Sequence, residues 1–134
     1  MRMHKSLQST WPLNLLLTIW SLVAITSAAA HFFLPGWTAQ GTNWPSSPHW
    51  QWEIACFDLV AAAAFLRAAY QRHTDLKVRA ASLLCWLSSA LGVNHLSGWL
   101  ERPKLFHVVF TICNLLAVVW SLLAIRRARI QGLR

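Results

Sequence analysis

PLNLLLTIWSLVAITSAAAHFFLPG, residues 12–36, admits two readings, and the choice between them decides the fold. As a secretory leader it has basic Arg2 and Lys5 ahead of an apolar run, and Ala28-Ala29-Ala30 resembles a small-residue cleavage site. Cleavage there would leave three apolar segments and a mature chain starting at His31, whose free amine and imidazole together could chelate a metal such as copper. As a membrane span, the run continues past the alanines through His31, Phe32, Phe33 and Leu34 and stops only at Pro35-Gly36, a strong helix terminator. From Pro12 it has the ~20 residues a membrane-crossing helix requires. The length favours the retained span.

Working outward, three further apolar segments of similar length follow, at residues 48–70, 78–100 and 103–125, after the first at 12–34. Short connections make consecutive helices antiparallel neighbours. The expected fold is all-α: one transmembrane domain over residues 1–134, an up-and-down four-helix bundle integral to the membrane. With 134 residues, 56% hydrophobic and 12% charged, the chain has no length left for a soluble domain.

A net charge of +8 would point to nucleic acid in a soluble protein. In this chain the basic residues sit at segment ends, which makes the lipid bilayer the partner and excludes nucleic acid. Arg2 and Lys5, then Arg67, Arg72, Lys77 and Arg79, then Arg126, Arg127, Arg129 and Arg134 mark three cytoplasmic regions under the positive-inside rule. The loop 35–47 carries no Lys or Arg, and Arg102 and Lys104 are opposed by Glu101, so both of these connections face outward. Both termini are therefore expected in the cytoplasm of a bacterial inner membrane, with the basic tail 126–134 serving as an orientation signal that also suits anionic lipid.

Boundary residues agree with this division. Thr10 can cap ahead of Pro12, Ser47 ahead of Pro48, and Thr74 or Asp75 can cap the third helix, while Pro103 opens the fourth. Trp37, Trp44, Trp50, Trp52 and Trp99 fall at outward ends and Trp11 at the inward start, where indoles anchor at headgroup level. Trp20, Trp86 and Trp120 lie deeper. Cys56, Cys85 and Cys113 form no CxxC pair and read as small apolar residues. Ser88 and Gly92 make a small-xxx-small pair expected to meet Ala61 to Ala64. The loop 35–47 reads equally as a cap folded onto the membrane surface or as a connector.

Function rests on one polar layer. His31, Glu53, His95 and His107 each lie about one turn from the outward end of a helix, ~5.4 Å in depth, and His49 shares a face with Glu53. Asp58 lies ~7.5 Å deeper than Glu53 at 1.5 Å per residue. A lone carboxylate there costs on the order of 2.5 to 3.5 kcal/mol, so it should face the interior and pair or hold a proton. Asn94 and an imidazole of His95 or His107 are its expected partners. His107, Thr111, Asn114 and Ser121 continue a polar stripe along one face of the last helix.

An outward pocket of Asp58, Glu53, Asn94, His95, His31 and His107 could bind a polar ligand or relay protons. His31, His49, Glu53, His95 and His107 are the candidate metal ligands, a set that suits Zn, Cu or Fe. A metal or haem is compatible with these residues and none is required by them, because no diagnostic ligand motif is present.

The entry to the second helix, WQWEIACFDL (50–59), and the exit of the third, GVNHL (92–96), resemble small four-span bacterial inner-membrane proteins of uncharacterised family, DoxX-like four-helix proteins among them. The resemblance implies a four-helix bundle in the cytoplasmic membrane and supplies no catalytic residue. The leading expectation is a binding or accessory component, alone, as a homo-oligomer or in a larger membrane complex. A metal- or haem-dependent oxidoreductase, a proton-coupled transporter and a purely structural subunit stand as alternatives, and whether the chain is an enzyme stays open.

Overall fold

The computed structural model describes residues 10–43 and 47–131. Arg2, Lys5, Trp44 and Arg134, used above for topology and anchoring, lie outside the described residues. The described chain is all-α: α1 (Trp11–Phe33), α2 (Pro35–Gln40), α3 (Pro48–Ala69), α4 (Thr74–Glu101) and α5 (Leu105–Ile130). α1, α4 and α5 are each long and apolar enough to cross a membrane. α3 has 22 residues but carries Gln51, Glu53 and Asp58.

The helix ends follow backbone rules more than side-chain caps. Leu34 breaks from helical geometry at φ −130°, ψ 46°, as a residue before proline tends to, and Pro35 then opens α2. Thr10 and Ser47 take the cap positions of α1 and α3, yet neither makes a side-chain cap bond. Pro12 and Pro48, within the first two helical positions, already set the entry torsions. His73, rather than Thr74 or Asp75, caps α4, and Lys104 precedes α5, leaving Pro103 outside it. α5 also runs on through Arg129, so most of the basic tail is helical.

α1 packs most extensively on α3 and α4 on α5; thinner contacts, chiefly from α1, join the two pairs. The core fills the half that holds the N-terminal end of α1, where Leu13, Leu16 and Leu17 of α1 meet Phe65, Ala68 and Ala69 of α3 and Ala81, Leu84, Ala117 and Ala124 of the second pair. Trp20 and Trp120 meet edge to face at 5.7 Å. The many alanines let backbones approach where no water drives association. Gly92 serves the same end, but toward α5: a Cβ on it would lie 3.2 Å from Asn114 Cβ. The expected contact of Ser88 and Gly92 with Ala61 to Ala64 is thus replaced by packing within the α4–α5 pair, and Ala63 and Ala64 are exposed.

The outer faces are as apolar as the core. Leu22, Val23, Leu83, Trp86, Leu115 and Leu122 are all exposed. So continuous an apolar surface is at home in lipid.

Candidate functional site

The opposite half, at the C-terminal end of α1, holds two polar groups rather than one layer. The first lies between α1 and α3. Gln51, in the first turn of α3, is buried, and its Oε1 accepts from the Thr38 hydroxyl of α2 at 2.8 Å and from Nδ1 of His31 on α1. Ala28 and Ala55 are fully covered in the same pair of helices, and their small side chains permit close approach. Deeper in, the Ser27 side chain faces the carboxyl of Asp58, and His31 stands within electrostatic reach of it. Asp58 Oδ2 is buried with no hydrogen-bond partner among the described residues. A carboxylate can accept several donors, so a buried oxygen left without one points to a group that belongs beside it.

The second group joins α4, α5 and the segment after α2. His107 is completely buried and His95 nearly so, with their Nδ1 atoms 3.2 Å apart. The backbone N–H of Asn43 donates to Nε2 of His107 at 3.1 Å, and its side-chain amide donates to the carbonyl of Gly98 at 2.6 Å. Because a backbone N–H can only donate, Nε2 of neutral His107 is bare and its proton sits on Nδ1. Nδ1 then donates to Nδ1 of His95, whose own proton is on Nε2. The network assigns both tautomers.

That assignment bears on metal chemistry. An imidazole ligating through Nδ1 keeps its proton on Nε2, which in His107 would confront the Asn43 N–H, donor against donor. A haem iron would instead need Nε2, which Asn43 occupies. The pair is built for hydrogen bonding. Among the described residues, no three His, Cys, Asp or Glu side chains converge on a metal-sized point.

The segment 35–43 folds back as a cap and connects both groups. Trp37 packs on Phe106 with ring centroids 4.5 Å apart, and Phe106 N–H donates to Gly41 O at 3.2 Å.

The remaining expected site residues are placed elsewhere. His49 and Glu53 do pair, Nε2 to Oε1 at 3.1 Å, but on the exposed side of α3. There they border a shallow groove of about 510 Å³ with Trp52, Cys56 and Phe57. Asn94 is exposed on α4 and does not serve Asp58, whose neighbours are Ser27 and His31. Azimuth explains these differences. At ~100° per residue, Glu53 sits nearly opposite Gln51 although it shares its depth, whereas Asp58, two turns on, returns to the same face. The His107 stripe does turn inward, but Thr111 and Asn114 bond the carbonyls of His107 and Phe110 on their own helix. Gln51, Ser27, Thr38 and Asn43 were not expected as site residues. The two-turn spacing of Gln51 and Asp58 and the one-turn spacing of Ser27 and His31 carried the signal for Gln51 and Ser27; Thr38, in the short α2, and Asn43, in a turn, had none.

No family model matches the chain, and no curated protein or solved structure matches it.

Proposed function

We propose that the chain is a four-span protein of the bacterial cytoplasmic membrane, both termini in the cytoplasm, that acts as a binding or accessory component. It takes a small polar ligand into an outward-opening site between α1 and α3. α3 counts as the fourth span because it runs alongside α1 and turns Gln51 and Asp58 toward that partner, while His49 and Glu53 lie near its N-terminal end. The single observation that carries the reading is Asp58 Oδ2, a buried acceptor without a donor, beneath the His31–Gln51 pair. A ligand bearing an amine or another strong donor supplies what is missing. Between Asp58 and the N-terminal end of α1 the packing of α1 on α3 is chiefly apolar, with Leu13, Leu16, Leu17 and Phe65 buried there and isolated hydroxyls such as Ser21 the exception, which favours binding over passage across the membrane.

The test is small-molecule mass spectrometry on protein extracted in mild detergent. A polar compound that accompanies the wild type and Glu53→Gln, and is absent from folded Asp58→Asn, supports the site. Identical profiles from all three proteins would remove it.

A further inference from the structure

The N-terminal ends of α1 and α4 hold a buried cation with no acidic partner among the described residues. Lys77, in the first turn of α4, is 5% exposed, and its Nζ donates to Oδ1 of Asn14 on α1 at 2.6 Å. An ammonium has three donors, and Asn14 is the only side-chain partner it has among the described residues. Asp75, the one acid described at this end, is exposed and forms no ion pair there. Burying an ammonium without an anion is costly. The position compounds the cost, because Lys77 lies where the helix dipole is positive and favours negative charge.

The surroundings supply the same preference. Thr10, one turn before Asn14 on α1, and Thr74, one turn before Lys77 on α4, are both buried and carry hydroxyls on those helix faces. Both helices begin at this level, so their first-turn N–H groups lack intrahelical acceptors. Arg72, Arg79, Arg126 and Arg127 are exposed around it. Trp11 and Tyr70, amphipathic aromatics exposed at the same end, mark the headgroup region of a bilayer.

We propose that Lys77, with Asn14 orienting its ammonium, binds the phosphate of an anionic phospholipid headgroup at the mouth between the N-terminal ends of α1 and α4. The lysine stem lies along the apolar helix faces while the ammonium meets the phosphate. This site is independent of the Asp58 site at the other end.

Native mass spectrometry of the full chain, released from detergent micelles doped with equal phosphatidylglycerol and phosphatidylcholine, tests it. The wild type should retain one phosphatidylglycerol in preference to phosphatidylcholine. Lys77→Gln, which can still bond Asn14, should weaken that retention roughly tenfold, the size of one charge-assisted hydrogen bond. Lys77→Arg and the control Arg102→Gln, an exposed residue at the opposite end of α4, should retain it. A wild type without preference for the anionic lipid overturns the proposal whatever the variants do, as does undiminished retention by Lys77→Gln. Inorganic phosphate added to the lipid-free protein separates the sources. Binding that depends on Lys77 and matches that of phosphatidylglycerol would overturn the lipid assignment in favour of a free anion, and its absence supports the headgroup.

Discussion

The backbone N–H of Asn43 donates to Nε2 of His107 although the two residues are 64 positions apart in the chain. Through this bond the cap grips α5, and through Thr38 and Gln51 it grips α3. One short segment therefore bridges two helix pairs that otherwise touch each other sparingly. The order of the cap and the registration of the pairs should rise and fall together.

Replacing His107 by Phe keeps a ring of similar size and deletes both nitrogens. The Asn43 N–H is then left without its acceptor, and the His95 imidazole loses the donor that fixes its tautomer. An unsatisfied buried donor costs about 1–3 kcal/mol. The unfolding midpoint in detergent should fall accordingly, and amide exchange at Thr42 and Asn43 should quicken more than in α1. Unchanged exchange in the cap would mean that the histidine does not hold it.

Gly98 and Gly36 offer a matched pair. A Cβ on Gly98 would lie 2.6 Å from Cε1 of His107, a ring that is fully buried and has nowhere to retreat, whereas a Cβ on Gly36 meets nothing within 4 Å. Gly98→Ala should force the C-terminal end of α4 away from the N-terminal end of α5 and cost about 1–3 kcal/mol, the range for overpacking a filled interior. Gly36→Ala should be neutral within error. Thermal unfolding of the two variants side by side gives the comparison.

Cysteine accessibility checks the orientation. In a chain with Cys56, Cys85 and Cys113 replaced, a cysteine at exposed Gln40 on the cap should react with a membrane-impermeant thiol reagent added to intact cells. One at exposed Gln131, past the end of α5, should react only after the membrane is opened. The reverse pattern would invert the topology read from the basic residues.

The long helices were legible because an apolar run of span length that ends at Pro35-Gly36, or opens at Pro48, leaves a helix little freedom in where to stop or start. Which side each helix shows its neighbour was less so. Depth follows from counting residues, and counting put His31, Glu53, His95 and His107 at one level with Asp58 and Asn94 deeper; azimuth depends on the partner helix, and α3 turned Gln51 and Asp58 toward α1 and Glu53 away. The His95–His107 pair spans only a short turn and is nearly local. Asn43 owes its role to a fold-back that no periodicity encodes. Lys77 looked like one more orienting charge because its burial depends on Asn14 of a distant segment.

Ser21 and Ser121 are both completely buried, yet only one is satisfied. Ser21 Oγ donates to the Leu17 carbonyl at 2.7 Å, while Ser121 Oγ has no partner. Ser121→Ala therefore removes a desolvated hydroxyl that gains nothing in return, and the volume change is a single oxygen. It should leave stability unchanged or raise it by up to about 1 kcal/mol, whereas Ser21→Ala gives up a made bond and should lower it by about 0.5–1.5 kcal/mol. Equilibrium unfolding in mixed micelles measures both. Opposite signs for the pair would show that Ser121 only allows close helix approach, with no bonding role of its own. A clear loss in Ser121→Ala would instead place a polar partner against its hydroxyl and reopen the inward half of the molecule as a polar path.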